Sequence, residues 1–229
     1  MKYLFRGVSL KNMRQTNMDS LLLKSRRIIK SNAMIAVVCD GVGSLTDGGF
    51  ASAMAVRLLI EWFSSVNSTN HIGLRMRDAV YLINARIISE SKQKNLETAS
   101  TLSALLLIEH NYYITHLGDS RIYCYEDKTD ALSILTNDDV SESGKLSAYI
   151  GKTEDIFLQY SEGTAIGKTF LVCSDGLYKR MDAEFMTNNL KTWNAKAKDK
   201  SLNALSQYVI ERGERDNISL ALIKTEGPL

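Results

Sequence analysis

The chain has 229 residues, of which 45% are hydrophobic and 24% are charged, a composition typical of a folded protein rather than a disordered one. Its 28 basic and 26 acidic residues are interspersed and give a net charge of +2, so no nucleic-acid partner is expected. No apolar run approaches the roughly 20 residues that cross a bilayer, so no membrane partner is expected either.

The predicted strands are short segments rich in apolar, β-branched and aromatic residues, at 20–24, 34–39, 102–109, 111–117, 121–125, 169–173 and 218–223. The short connections near His110 and Asp119 predict an antiparallel meander over residues 102–125. Apolar residues at helical spacing predict helices over 51–63, 72–93 and 201–212. Because strands and helices are clustered rather than alternating, the pattern favours antiparallel sheets covered by helices over a parallel doubly wound fold.

The beginning of the chain and its cysteines bear on location. Residues 1–6 hold no sustained apolar stretch before Arg6, so no secretory signal peptide is expected. Cys39, Cys124 and Cys173 lie in apolar segments without CxxC spacing and are interpreted as reduced, buried thiols, the alternative being a nucleophilic cysteine. We therefore expect a cytoplasmic, monomeric protein with a single domain over residues 1–229.

Acidic residues follow the apolar strands in a recurrent pattern. Asp40 and Asp175 each end an apolar strand and precede a glycine, Asp119 follows a third strand, and Asp216 precedes the last one. If these strand ends converge, the carboxylates repel one another strongly unless cations neutralise them. A single Asp-Gly pair is also a common turn, so the prediction depends on the whole ordered set.

The chemistry of these residues indicates which cation they would hold. Hard divalent ions such as Mn²⁺ and Mg²⁺ take oxygen ligands, and Gly41 would let the backbone carbonyl approach an ion closely. His71, His110 and His116 are scattered without zinc spacing, so structural roles are expected for them.

Five ordered motifs cover nearly the whole chain: Arg14-Gln15-Thr16-Asn17-Met18-Asp19, Asp40-Gly41-Val42-Gly43, Thr101-Leu102 with Gly118-Asp119-Ser120-Arg121, Ser174-Asp175-Gly176-Leu177, and Arg215-Asp216-Asn217. This set resembles the protein phosphatase 2C family, the metal-dependent serine/threonine phosphatases, in its compact bacterial form. The resemblance implies an α+β fold, a four-layer αββα sandwich with two central antiparallel sheets flanked by helices. It also implies a phosphoprotein substrate, a serine/threonine kinase that the enzyme opposes in bacterial signalling, and two or more Mn²⁺ or Mg²⁺ ions.

The resemblance further implies a role for each site residue. Asp40 would bridge two metal ions, Gly41 would give its carbonyl to one of them, and Asp175 and Asp216 would complete the other. Asp119 would help to hold a third ion. The implied reaction is direct attack on phosphorus by metal-bound hydroxide. Two catalytic residues are added to the five metal ligands: Asp19, which would hold metal-bound water, and Arg14, a bidentate phosphate donor whose alternative is a surface salt bridge.

The sequence departs from the family most clearly at three places, with milder changes at Ser44 and at Ala99-Ser100. Met18 stands where the family has Glu or Gln, and a thioether is a poor partner for the water shell of a hard ion. Lys179 replaces an acidic residue, and our hypothesis is that it pairs with Asp119 in place of the third cation, the alternative being an exposed lysine. The family's flap is shortened to residues 140–147, which would leave the cleft more open.

These departures keep two other interpretations open. One is a catalytically weak phosphatase-like protein that binds phosphoproteins as a regulator, motivated by Met18 and Lys179. The other is a hydrolase of small phosphoesters, which the shortened flap would permit.

Overall fold

The computed structural model describes residues 2–45, 47–196 and 198–226. The described residues form ten strands and five helices. In chain order these are β1 (Lys2–Leu10), β2 (Ser20–Ile28), β3 (Ser31–Cys39), α1 (Gly48–Ser65), α2 (Ile72–Lys94), β4 (Leu102–Ile108), β5 (Asn111–Leu117), β6 (Arg121–Glu126), β7 (Ala131–Ile134), β8 (Gln159–Thr164), β9 (Lys168–Cys173), α3 (Asp175–Tyr178), α4 (Ala183–Thr192), α5 (Lys198–Glu211) and β10 (Ile218–Glu226).

The strands make two five-stranded sheets. The first has the order β1-β10-β9-β6-β7 and the second has the order β2-β3-β4-β5-β8. The pairing is antiparallel at every one of these interfaces. Strands β1 and β2 are therefore edge strands, each at one end of its own sheet.

Alternation along the strands divides the core into layers. In β3, Ile35 and Val37 pack with residues of α1 and α2, whereas Met34 and Val38 belong to the cluster between the sheets. The other sheet shows the same alternation, because Leu171 of β9 packs with residues of α4 and α5 while neighbouring residues face inward. Successive residues of a strand point to opposite faces, so each sheet buries one face against helices and the other against its partner sheet. The predicted αββα sandwich is confirmed.

All seven predicted strands are present, but the predicted meander is wrong. β4 and β5 pair as expected, whereas β6 leaves for the other sheet and pairs with β7 and β9. The turn between β5 and β6 contains Gly118 with φ of +107°, a conformation that glycine adopts easily. This turn carries the chain from one layer to the other and places Asp119 at the end of both sheets.

Five further elements were not predicted: β1, β7, β8, α3 and α4. Strands β1, β7 and β8 lie at sheet edges, where few residues are buried and the apolar alternation is weak. The three cysteines are buried and form no disulfide, as expected. Across the described part of the chain, no helix is long and apolar enough to cross a bilayer.

Candidate metal centre

A pocket of about 550 Å³ opens at one end of the sandwich, where several strand ends meet. Six of the seven predicted site residues line it: Arg14, Asp40, Gly41, Asp119, Asp175 and Asp216. The seventh, Asp19, is buried and bonded to the residue that precedes Asp175. The fold thus gathers residues that are up to 202 positions apart in the sequence.

Asp40 lies at the floor of this pocket and its backbone is held on both sides. Its N–H donates to Thr101 Oγ1 at 2.9 Å, and its carbonyl accepts from the Thr101 N–H and from Ser100 Oγ, each at 2.9 Å. These contacts tie the end of β3 to the start of β4. The carboxyl group of Asp40 is consequently presented from a rigid backbone.

The glycines that follow the two strand-end aspartates are required by close packing. A Cβ on Gly41 would lie 2.5 Å from the carbonyl oxygen of Gly48, and a Cβ on Gly176 would lie 2.1 Å from that of Asn217. Both distances are shorter than real Cβ contacts, so a side chain at either position would displace the backbone. The two Asp-Gly pairs are therefore more than turn dipeptides, because each glycine lets a second chain segment reach the site.

Asp175 is the first residue of α3, and Lys179 lies one helical turn further on. The Lys179 ammonium donates to the Asp175 carboxylate. The hypothesis that Lys179 pairs with Asp119 is therefore corrected: Asp175 is its bonded partner, because the two side chains lie on one face of a helical turn. Lys179 still acts on Asp119 electrostatically, because it lowers the pKa of that carboxyl against the larger effects of burial and Asp175, which together raise it to about 6.

Asp119 is positioned by residues to which the sequence analysis gave no role. The Tyr178 hydroxyl donates to the Asp119 carbonyl at 2.9 Å. The guanidinium of Arg121 lies over the Tyr178 ring, 3.8 Å from its centroid, and pairs with Asp138 through contacts of 2.9 and 2.7 Å. This series of contacts fixes the turn that carries Asp119. In the sequence, the role of Tyr178 is indicated by no more than its position shortly after Asp175.

Arg14 and Asp216 form a two-pronged ion pair at the rim of the pocket. Nε donates to Oδ1 at 2.8 Å, and the terminal guanidinium nitrogen donates to Oδ2 at 2.6 Å. Burial acts to raise the pKa of Asp216, but the hydrogen bonds from Arg14 and from the Asn217 N–H, together with the charges of Arg14 and Lys179, hold that pKa below its usual value. In this structure Arg14 therefore forms a salt bridge, which was the alternative to its role as a phosphate donor. The salt bridge has the bidentate geometry that was predicted for phosphate binding.

Asn217 holds the loop that carries Arg14 and Met18, a role that the sequence analysis did not assign. Its side-chain amide donates to the carbonyls of Lys11 and Thr16 at 2.8 and 3.0 Å, and its Oδ1 accepts from the Met18 N–H at 2.9 Å. Because the side chain of Asn217 contacts backbone atoms of the loop, it can hold the loop in place whatever side chains the loop carries. Met18 therefore lines the pocket through a backbone that Asn217 holds in place.

Asp19 is buried next to the pocket with hydroxyl partners. Ser174 Oγ donates to Asp19 Oδ2 at 2.9 Å and accepts from the Ser219 N–H at 3.0 Å. Burial, with smaller contributions from Asp175 and Asp216, raises the pKa of Asp19 to about 6, although hydrogen bonds from Ser174 and Ser219 oppose the shift. Asp19 is thus a buried carboxyl that carries charge at neutral pH only against a penalty.

The electrostatic penalty is greatest at Asp40. Burial raises the pKa of Asp40 well above its ordinary value, and the charges of Asp19, Asp175 and Asp119 raise it further. Such a group of carboxyls is stable as carboxylates only when positive charge lies among them.

The donor set fits hard divalent cations, because it consists of carboxylate and carbonyl oxygens. Over the described ranges, no group of three or more His, Cys, Asp or Glu side chains already has a metal-holding arrangement. Two of the four lining carboxylates, Asp175 and Asp216, are instead engaged by Lys179 and Arg14. Asp175 and Asp216 could therefore bind a metal ion only if the ion displaced Lys179 from the first carboxylate and Arg14 from the second.

Comparison with known proteins identifies the family of this fold. The family model described as "Protein phosphatase 2C" matches residues 6–210. A "Serine/threonine phosphatase stp" of Listeria welshimeri is 27% identical, over 85% of this chain and 86% of the relative. A "Putative protein phosphatase" of Mycoplasma pneumoniae is 26% identical, over 96% of this chain and 95% of the relative.

Solved structures of low sequence identity share the fold. The serine/threonine phosphatase Stp1 from Staphylococcus aureus superimposes with a TM-score of 0.88 at 17% identity, covering 99% of this chain and 96% of that one. The phosphatase PstP/Ppp from Mycobacterium tuberculosis does so with a TM-score of 0.85 at 20% identity, covering 98% and 99%. The two-sheet architecture is therefore retained in proteins with few identical residues.

Proposed function

The chain belongs to the protein phosphatase 2C family, and we propose that it hydrolyses phosphoserine and phosphothreonine esters of proteins with divalent ions held by its strand-end aspartates. The observation that carries this proposal is the position of Asp40, Asp119, Asp175 and Asp216 in one pocket with Arg14 at its rim. The retention of this acidic set favours an enzyme over the regulator interpretation.

The proposed ligands are the residues already placed at the floor and the rim of the pocket. Asp40, with the carbonyl of Gly41, would hold ions at the centre, Asp175 and Asp216 would complete a second set of ligands, and Asp119 would contribute from the β5–β6 turn. Two or more Mn²⁺ or Mg²⁺ ions suit these oxygen donors. When bound, such ions lower the pKa of water and neutralise charge that grows on phosphate oxygens.

The catalytic work proposed for this chain falls to two residues. The two N–H groups of Arg14 that hold the Asp216 oxygens are spaced to hold two phosphate oxygens, which would orient the ester and stabilise its developing charge. Asp19 would orient the attacking water by accepting a hydrogen bond from it, with Ser174 fixing the carboxylate.

The surroundings of the pocket favour a protein substrate that reaches an open cleft. The short flap is a small hairpin in which Val140 bridges Leu146, and Leu146 lines the pocket. This hairpin leaves room for a phosphorylated loop or tail rather than enclosing a small molecule. We propose that the substrate is the target of a serine/threonine kinase whose signal the enzyme reverses.

We further propose a single-domain enzyme of residues 1–229, since both sheets share one inner cluster; that it is a monomer stays a prediction. The three buried free cysteines favour a reducing compartment, and we propose the cytoplasm.

The proposal is tested by hydrolysis of a phosphothreonine peptide with Mn²⁺, with Mg²⁺ and with chelator, beside an Asp175→Asn variant. We expect turnover that depends on the ion and is lost in the variant. Equal turnover of wild type and variant, or no ion-dependent turnover by wild type, would contradict it. A small aryl phosphate is assayed in parallel, and a higher kcat/KM for it than for the peptide would favour the small-phosphoester alternative.

A further inference from the structure

A second cavity, of about 580 Å³, lies between the edge strands β1 and β2, and we call it the edge groove. Its lining includes Lys2, Tyr3 and Phe5 of β1 and Arg26 and Arg27 of β2. Ala33, near the start of β3, also lines it, and Asp40 comes seven residues later, just past the end of that strand, about 23 Å away at 3.3 Å per residue. The edge groove is thus at the opposite end of the sandwich from the acidic pocket.

The backbone around the edge groove is suited to another strand. β1 is hydrogen-bonded to β10 alone and β2 to β3 alone within the two sheets described, so the outer edge of each strand offers backbone N–H and carbonyl groups. An extended peptide that adds to such an edge gains main-chain hydrogen bonds and places alternate side chains into the adjoining surface.

The side chains of the edge groove combine an apolar floor with a basic rim. Tyr3 and Phe5 are half-buried and pack against the cluster between the sheets, whereas Lys2 and Arg27 are exposed. The hydrogen bond recorded for the Arg27 side chain is a long one of 3.4 Å to the Lys30 carbonyl, so its guanidinium is available to a ligand.

Arg26 differs from Arg27, because its guanidinium is committed to the end of α1. It donates to the carbonyls of Phe63, at 2.7 Å, and of Ser64. Two carboxylates of neighbouring segments are engaged elsewhere: Asp199 pairs with Arg6 at 3.0 Å, and Glu109 accepts from the backbone N–H of Asn32. Among the described residues that line the edge groove, none is acidic. The exposed charge that faces a ligand there is positive.

We propose that the edge groove binds an extended acidic segment of a partner polypeptide. The segment would run along an open strand edge, with apolar side chains on Tyr3 and Phe5 and carboxylates against Lys2 and Arg27. Charged residues on edge strands also serve to prevent aggregation, but that role requires no concave surface with an aromatic floor. The cavity between the two edges is the feature that indicates a ligand.

The test measures binding of a fluorescein-labelled, unphosphorylated peptide of alternating Glu and Leu by fluorescence anisotropy, in chelator. We expect saturable binding that weakens with salt and becomes about tenfold or more weaker in Lys2→Glu/Arg27→Glu. The matched control is Lys128→Glu, an exposed lysine of the β6–β7 turn outside the edge groove, which should leave binding unchanged. The double variant Lys2→Gln/Arg27→Gln removes the two positive charges without adding negative ones, and it should also bind the peptide more weakly than the wild type.

Because neither metal nor phosphate is present, this outcome is independent of the proposed phosphatase activity. Equal binding by wild type and both double variants, or equal loss in Lys128→Glu, would overturn the proposal. So would a wild type that binds vesicles rich in anionic lipid, or a single-stranded oligonucleotide, more tightly than the acidic peptide.

Discussion

The rim and the floor of the acidic pocket differ in how their negative charge is balanced. At the rim, Asp216 is held by Arg14 and Asp175 by Lys179, and the pKa of Asp216 is lowered as a result. At the floor, burial and neighbouring carboxyls raise the pKa of Asp40 well above its usual range. Both regions are made of strand-end aspartates, so the difference comes from the partners that the fold supplies.

This difference shows how the protein itself can balance part of the negative charge of the site. The protein cations at the rim partly neutralise the outer carboxylates, and protonation relieves repulsion at the floor. Divalent ions would then displace protons at Asp40 and ammonium or guanidinium groups at the rim.

Removing the floor carboxylate should abolish function while making the empty protein more stable. Asp40→Asn should lower Mn²⁺ affinity and turnover by more than the roughly 100-fold that losing an outer partner of a metal ligand costs. In chelator, the same variant should unfold at a higher temperature, because a buried carboxyl is gone. Calorimetric Mn²⁺ titration and thermal unfolding check both, with exposed Asp78→Asn on α2 as control. Unchanged Mn²⁺ affinity in Asp40→Asn would contradict the role of Asp40 as a metal ligand.

Removing the Arg14 guanidinium at the rim should raise the affinity for Mn²⁺ and lower the catalytic efficiency. Arg14→Ala releases Asp216, so Mn²⁺ affinity should rise, yet kcat/KM for a phosphopeptide should fall on the order of 100-fold as a transition-state donor is lost. Arg57→Ala, which breaks an exposed pair with Glu61 on α1, is the control. A parallel fall in metal affinity and activity would show that Arg14 supports the site rather than the substrate.

The hydroxyl that positions Asp119 should have a smaller effect. Tyr178→Phe keeps the ring under Arg121 but removes the hydrogen bond to the Asp119 carbonyl, a contact worth about 1 kcal/mol. Mn²⁺ affinity should fall roughly 2- to 10-fold with little change in KM for the phosphopeptide. Tyr81→Phe on α2 removes a hydroxyl elsewhere and should change neither quantity.

The lysine at the rim should compete weakly with metal. Lys179→Met releases Asp175, so Mn²⁺ affinity should rise by about 2- to 5-fold, the amount expected from an ion pair whose lysine side chain is exposed. Lys179→Asp should raise the number of Mn²⁺ ions bound at saturation, if this ammonium replaces a cation near Asp119 and Asp175. Unchanged stoichiometry in Lys179→Asp, counted by electron paramagnetic resonance of free Mn²⁺, would contradict that replacement.

The pH dependence of the metal-free protein should be modest and opposite to that of most acidic groups. Asp19 and Asp119 have pKa values raised to about 6, so the folded state binds more protons than the unfolded state. Their contribution to stability is present below about pH 4 and is lost as pH rises through about 6. Thermal unfolding in chelator should show a Tm lower by a few degrees at about pH 7 than at about pH 4.5. Asp119→Asn should flatten this profile.

The sequence predicted the layers and the acidic strand ends well, because both depend on local patterns. Buried runs such as 34–39 and 169–173 are unambiguous strands; Asp40 follows the first directly, and Asp175 follows the second after Ser174. Edge strand β8 carries too few apolar residues to give such a pattern, and β7 is too short, with only four residues. The crossing from β5 to β6 was also mispredicted, since a short turn does not reveal which sheet the next strand joins.

The contacts that hold the site depend on tertiary placement and escaped prediction. Asn217 bonds the backbone of a loop about 200 residues away, and Tyr178 reaches Asp119 across 59 positions. For neither side chain do the neighbouring residues in the sequence indicate which group it will bond. The pairing of Lys179 was predicted within one helical turn but with the wrong carboxylate, because Asp175 and Asp119 both lie within its electrostatic reach.

The central claim is that four carboxylates from distant strand ends form one site for divalent ions. The most direct test is a crystal grown in Mn²⁺, with an anomalous difference map recorded near the manganese edge. We expect at least two peaks among Asp40, Asp175, Asp216 and the Gly41 carbonyl, with Arg14 and Lys179 turned away from their present partners. A fully ordered pocket without an anomalous peak, or peaks confined to other surfaces, would contradict the account.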